Sequence, residues 1–466
     1  MSARYLTTTI PYVNADAHIG HALEFVQADC VARAARLQGD DVFFNIGTDE
    51  HGAKVYTKAK EAGQEPQAYV DEFAVRWQKF ADALDISYDF FSRTTSDTHK
   101  AAAQEFWRRC AAAGDIYKAL YQIKYCVGCE LEKTDSELVN GRCPIHPNLT
   151  IEIREEENYY FRLSKYGDAL LKLYADTPDF LMPEEHKRAM IALINAGLKD
   201  FSISRVAVKM PWGVLVPDDD AHVMYVWFDA LVNYISAIGW PENEETFKKW
   251  WPVTQLAGKD QVRQQAVMWQ AMLLSVGLPF SKQIFIHGFI TSNGQKMSKS
   301  LGNVIDPVAV IEKYGTDAVR YILLRHVSPT QDSDLTLEAI HDHYTANLTN
   351  GLGNLVARVM QLAETYLSAP VAASSAASEP ISDFKFNEAM DAVWARVSAA
   401  DERITRERPF VVVKENPEEG KHVIAELVQE LYRIGTSLRP YMPATAEKII
   451  QAVKENKKPE NLFPRL

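Results

Sequence analysis

The first forty residues constrain the fold most. Residues 5–10 form a β-branched, apolar run suited to a buried strand; Pro11, Asn14 and Asp16 break it, and helical apolar spacing runs from Ile19 to Leu37, ending at Gly39. The result is a strand–turn–helix unit in which His18 and His21 fall at or just before a helix N-terminus. Unsatisfied amides and the positive end of the helix dipole favour an anion there. Gly20, between the imidazoles, leaves room for close approach of a ligand. Taken alone, H-I-G-H leaves three readings open: an anion site, a pair of zinc ligands, or ordinary surface residues.

A second signal lies far downstream. An apolar strand over 283–290 leads into G-F-I-T-S-N-G-Q-K-M-S-K-S-L-G-N, where Gly294 and Gly302 bracket Lys296, Ser298 and Lys299 on a short polar loop. Two ammonium groups on such a loop suit closure over a polyphosphate and neutralisation of a departing pyrophosphate. Most K-x-x-K loops are merely solvated turns, but the distant histidine pair makes that reading improbable here.

His18-Ile19-Gly20-His21 and Lys296 to Ser300 together resemble the two signatures of class I aminoacyl-tRNA synthetases, and the surrounding words resemble the methionyl-tRNA synthetase family from Tyr5 to Leu466. The resemblance implies an α/β fold with a Rossmann-type parallel-sheet catalytic domain, a zinc-binding insertion, and an α-helical bundle that binds the anticodon. The expected divisions are 1–115 and 206–290 for the two catalytic halves, 116–205 for the insertion, 291–340 for the lysine loop and stem-contact region, and 341–466 for the bundle. It also implies ATP and Mg2+, with methionine and tRNA(Met), initiator included, as partners. His18, Gly20, His21, Asp260, Lys296, Ser298 and Lys299 would bind ATP, and the two histidines and two lysines would be catalytic.

The amino-acid site follows from the same likeness. G-T-D-E-H-G after a strand over 42–46 supplies Asp49 as partner for a substrate ammonium, whose charge would compensate the desolvation of a buried carboxylate. The stretch 223–234 reads as a strand passing into a helix. It carries Trp227, Ala230, Leu231 and Tyr234 onto the side-chain pocket with Ile10 and Tyr12. Such a pocket suits a polarizable thioether. After Gly258-Lys259-Asp260 the chain departs from the family's usual R-F-H-A-V-x-W-P-A and writes R-Q-Q-A-V-M-W-Q-A. Gln265 takes the histidine slot, where an amide donates or accepts as an imidazole would, and Trp269 is retained.

Cys126, Cys129, Cys143 and His146 form C-x2-C and C-x2-H knuckles separated by 13 residues. This spacing suits one tetrahedral, structural Zn2+, with no ligand left over for an open catalytic position. Cys30 and Cys110 read as buried small hydrophobes. In the bundle, Asn354 and Arg358 stand one turn apart, and Phe410 takes a position where the family usually has tryptophan. The resemblance makes all three anticodon contacts. The alternative for these residues is a solvated bundle face.

A net charge of −12 excludes a general nucleic-acid binder held by bulk electrostatics, so a tRNA would need local basic faces. No apolar run is long enough to span a bilayer. The first strand starts almost at once, leaving no room for a signal peptide, so a cytoplasmic protein is expected. No further module follows L-F-P-R-L, which favours a monomer. Two other functions stay open: a small-molecule nucleotidylyltransferase, which would not need the bundle or the insertion, and a non-catalytic tRNA-binding relative, against which the intact histidines and lysines count.

Overall fold

The computed structural model describes residues 2–126, 131–133, 138–144, 147–297, 303–372 and 384–466. The first strand, β1 (Ala3–Thr8), lies inside a six-stranded sheet. On one side it pairs with β2 (Asp41–Thr48) and then β3 (Phe90–Arg93); on the other it pairs with Val253–Gly258, followed by Gln283–His287 and Leu181–Met182. All five pairings are parallel. The chain winds outward from β1 in one direction and later fills the other side. A crevice therefore opens at the carboxyl ends of β1 and Val253–Gly258, where strand order reverses.

Both faces of the sheet are covered, which is why its strands are apolar on alternate and intervening positions alike. One core runs from Leu6, Phe25 and Phe44 through Ile322 to Leu431, Ile449 and Phe463. The other joins Tyr5, Phe106, Trp107, Tyr234 and Trp269. The helices from Leu337–His343 to Pro443–Glu455 thus share a continuous apolar interior with one face of the sheet. The expected insertion forms an antiparallel sheet from Ile116–Cys126, Glu152–Phe161, Leu131–Lys133 and Phe201–Ser202. Among the described residues, no helix is long and apolar enough to cross a membrane.

Three local features differ from the reading of the sequence. Leu181–Met182, within the expected insertion, returns to the central sheet as an edge strand opposite Ile284 and Phe285. Two residues are too few to show periodicity, so only pairing reveals them. Asp332 to Asp334 reads as loop, yet Ser333–Asp334 pairs in parallel with Ile290–Ser292. Lys296 lies not on a loop but in the strand Gln295–Lys296, antiparallel to Ile290–Ser292. Asn293 and Gly294 turn this hairpin with φ of 55° and 70°. Asn-Gly is the pair that tolerates two successive left-handed residues, and it was the overlooked signal.

Candidate active site

The paired imidazoles are built into the start of the helix α1 (Ile19–Leu37). His18 is its N-cap: the His18 Nδ1 accepts from the Gly20 amide at 3.2 Å, and the His21 Nδ1 accepts from the His18 amide at 3.2 Å. The rings stack with centroids 3.7 Å apart. A Cβ on residue 20 would come within 3.0 Å of the His18 ring, so glycine is what lets that imidazole fold back onto the helix end. With both Nδ1 atoms accepting, each neutral ring carries its proton on Nε2. Burial, then the neighbouring His18 and His287, hold the His21 pKa well below the usual imidazole range.

His18, Gly20, His21 and Asp260 line one cavity of about 360 Å³, together with Glu24, His287 and Met297. A second cavity of about 560 Å³ is lined by Ile10, Tyr12, Asp49, Trp227, Ala230, Leu231, Tyr234 and Gln265. The two share Tyr12, Asn14, Asp260 and Gln261, so they meet at the crevice between β1 and Val253–Gly258. Of the residues expected around the amino acid, only Trp269 does not border its cavity. It is fully buried one layer behind, edge-on to Tyr234 at 5.9 Å and stacked on Phe106 at 5.6 Å. Its contribution is to hold the wall.

Asp49 and Tyr12 are held side by side where β1 and β2 run on past their ends. The Asp49 amide donates to the Pro11 carbonyl at 2.8 Å, and the Val13 amide donates to the Asp49 carbonyl at 3.1 Å. Asp49 is 8% exposed, and its Oδ1 is buried with no hydrogen-bond partner. Burial, then the negative charge of Asp229, pushes its pKa well up. Asp229 itself stays ionised despite complete burial, because His51 at 2.6 Å and His99 at 2.8 Å both reach its carboxylate. A buried carboxylate with one oxygen left unpartnered beside an open cavity calls for a cation.

Two functional positions escaped the reading of the sequence. The His287 Nε2 lies 2.9 Å from Glu24 Oε2, and its Nδ1 lies 2.8 Å from the Gly288 carbonyl, so both nitrogens face acceptors, which favours the protonated ring. Burial opposes that charge, but Glu24 and the Gly288 carbonyl outweigh it and raise the pKa. Glu24 also accepts from the Thr9 amide and hydroxyl at 2.7 and 2.5 Å. Its signal was a lone carboxylate one turn after His21 in an otherwise apolar stretch. Lys259 turns away from both cavities to pair with Asp332 at 2.6 Å.

The other expected sites are described in part. Ser298 and Lys299 lie outside the described residues, as does the side chain of Lys296. Cys129 and His146 also lie outside them, whereas Cys126 and Cys143 are described and fully buried. Asn354 lines a cavity of about 470 Å³ with Asn350, Phe463 and Arg465. Arg358 pairs with Asp401 at 2.6 Å, and Phe410 is 42% exposed on Pro409–Glu415; neither borders that cavity.

A parallel sheet with an imidazole pair at its first helix and a lysine-bearing hairpin downstream is the arrangement of the class I tRNA synthetases. The family model "tRNA synthetases class I (M)" matches residues 4–150 and 136–360. A methionine--tRNA ligase of Thermotoga maritima is 39% identical over 98% of this chain and 76% of that protein. One from Thermosynechococcus vestitus is 48% identical over 78% of this chain and 70% of that protein. The Mycobacterium tuberculosis methionyl-tRNA synthetase in complex with methionyl-adenylate superposes with a TM-score of 0.89 at 36% identity, covering 100% of both chains. Its apo form gives 0.82 at 33% identity, covering 100% of this chain and 98% of that one. The chain belongs to the methionine--tRNA ligase family.

Proposed function

We propose that the chain activates methionine with ATP and transfers it to tRNA(Met), initiator included, for translation. The carrying observation is Asp49: a buried carboxylate with an unpartnered oxygen, in an apolar and aromatic cavity that opens onto the histidine-lined one. Asp49 would take the α-ammonium of methionine, leaving the substrate carboxylate at the junction of the cavities. A carboxylate oxygen attacks the ATP α-phosphorus and pyrophosphate leaves; a terminal ribose hydroxyl of tRNA then attacks the carbonyl and AMP leaves. The substrate brings its own nucleophile, so the protein's work is alignment and charge stabilisation. His18 and His21 donate from the helix end through Nε2–H, and Lys296, Ser298 and Lys299 act on the polyphosphate from the hairpin side. Asp260, on the shared wall, takes ribose hydroxyls. Magnesium would neutralise phosphate oxygens as part of the bound substrate.

One structural Zn2+ is part of this reading, held by Cys126, Cys129, Cys143 and His146. Cys126 and Cys143 fit it: both are fully buried, Cys143 among exposed neighbours at 139–142 and 144, and neither joins either apolar core among the described residues. Asn354, Arg358 and Phe410 are assigned to the anticodon, Arg358 after release from Asp401. The division of the chain at 115, 205, 290 and 340, a monomeric state and a cytoplasmic location complete the reading. The test is pyrophosphate exchange with each of the twenty amino acids. Exchange with methionine alone supports it; exchange independent of any amino acid points to a nucleotidylyltransferase, and none at all to a non-catalytic tRNA binder.

A further inference from the structure

The hairpin that carries Lys296 is too short to hold itself. Its strands, Ile290–Ser292 and Gln295–Lys296, have three and two residues, and even a longer two-stranded hairpin is marginal alone in water. The sheet is completed by Ser333–Asp334, which runs parallel to Ile290–Ser292 on its other edge. The Ser333 amide donates to the Phe289 carbonyl and the Leu335 amide to the Thr291 carbonyl, both at 2.9 Å. Leu335 is buried in the larger apolar core, and the Ser328 amide donates to the Ser333 hydroxyl at 2.8 Å. A Cβ at Gly288 would run into the Gln331 carbonyl, so this segment meets the base of the hairpin backbone to backbone.

Two carboxylates on the segment grip the hairpin at its two ends. At the base, Asp332 Oδ1 accepts from the Phe289 amide at 2.9 Å, while its two oxygens hold Lys259 at 2.7 and 2.6 Å. At the tip, Asp334 Oδ1 accepts from the Gly294 amide at 2.7 Å and from the Thr291 hydroxyl at 2.9 Å. The Gly294 amide, then the Thr291 hydroxyl, hold the Asp334 carboxyl below its usual pKa, so both bonds are charge-assisted at neutral pH. Thr291 stands opposite Asp334 on one side and opposite Lys296 on the other, so the three share one row across the sheet. Asp334 itself is exposed and borders neither cavity. The hairpin does border one: Phe289 and Ile290 at its base, and Met297 just past Lys296, line the cavity of His18 and His21.

We propose that Asp334 is a positioning residue for the activation step, gripping the tip of the hairpin so that the strand bearing Lys296 is fixed at the rim of the histidine-lined cavity. It touches no substrate and acts through Gly294 and Thr291. Among the described residues, a Cβ at Gly294 would meet nothing within 4 Å, so packing does not place the turn and the carboxylate does. An ammonium group that stabilises a departing polyphosphate is effective only when its support holds it in place beforehand. The inference rests on the methionine-activation reading above and adds to it the group that sets where the hairpin stands.

The test combines Asp334→Ala, Asp334→Asn and Lys296→Ala in methionine-dependent pyrophosphate exchange with amide hydrogen exchange over 289–297. Asp334→Ala should lower kcat about tenfold with the KM for methionine unchanged. Asp334→Asn keeps an oxygen that accepts both bonds and should restore the rate to within about threefold of the unmodified chain. In a chain already lacking the Lys296 ammonium, Asp334→Ala should cost no more than about threefold, because the grip acts through that lysine; general loosening of the fold would cost the same in both backgrounds. Amide exchange reads the grip without catalysis: residues 289–297 should exchange about tenfold faster in Asp334→Ala, with the rest of the chain unchanged. An unaltered kcat, an asparagine variant as slow as the alanine, an equal loss in the Lys296→Ala background, or unaltered amide exchange overturns the proposal. If the unmodified chain exchanges no pyrophosphate with methionine, the functional reading fails instead, and amide exchange alone decides whether Asp334 holds the hairpin.

Discussion

Arg320 and Asp29 form an ion pair, Nη2 to Oδ2 at 2.6 Å, in which neither side chain has any exposed surface. Asp29 lies on α1, two and a half turns beyond the imidazole pair. Arg320 lies on Thr316–Arg325 and also donates to the carbonyls of Leu84, Pro440 and Tyr441. One guanidinium thus joins the helix that carries the histidines to the end of the long bundle helix Pro417–Leu438. The Asp29 pKa stays low because Arg320 and Arg33 outweigh the effect of burial.

Removing Arg320 takes one of the two guanidinium partners from a fully buried carboxylate and leaves it with Arg33 and Ser87. Arg320→Ala should lower stability by about 3–5 kcal/mol, read from denaturant midpoints, and Asp29→Asn added to it should recover part of the loss. A cost for the single substitution no larger than that of an exposed pair would refute the coupling.

Methionine affinity should depend on pH through Asp49. Burial and Asp229 raise its carboxyl pKa in the free protein, and an ammonium ligand needs the ionised form. Affinity is therefore full above that raised pKa and is lost as pH falls through it, at a higher pH than an ordinary carboxylate would give. The KM for methionine measured across the acid range should show this limb. Asp49→Asn should raise KM about a hundredfold and abolish the limb.

The imidazole pair and the lysines are assigned to the phosphorus centre rather than to amino-acid binding. Lys299→Ala and His21→Ala should each slow adenylate formation by about a hundredfold with methionine affinity nearly unchanged, as single-turnover kinetics would resolve. Equal losses in binding and rate would assign these groups to ground-state positioning.

Metal content checks the knuckle independently of catalysis. Cys126→Ser should remove one equivalent of zinc per chain by elemental analysis and lower the melting temperature, because the clip holds a segment with little core of its own. Full zinc retention would sink the assignment.

The sequence by itself determined the helix end that carries His18 and His21, because strand periodicity and capping are encoded over a few residues, and its resemblance to the family supplied the class of fold and about half of the lining of the amino-acid cavity. Only the tertiary structure decided that Glu24 meets His287, that Trp269 stands behind the wall rather than in it, and that Leu181–Met182 rejoins the central sheet. Each of these joins positions far apart in the chain, where contact follows from how the layers stack and leaves no local pattern.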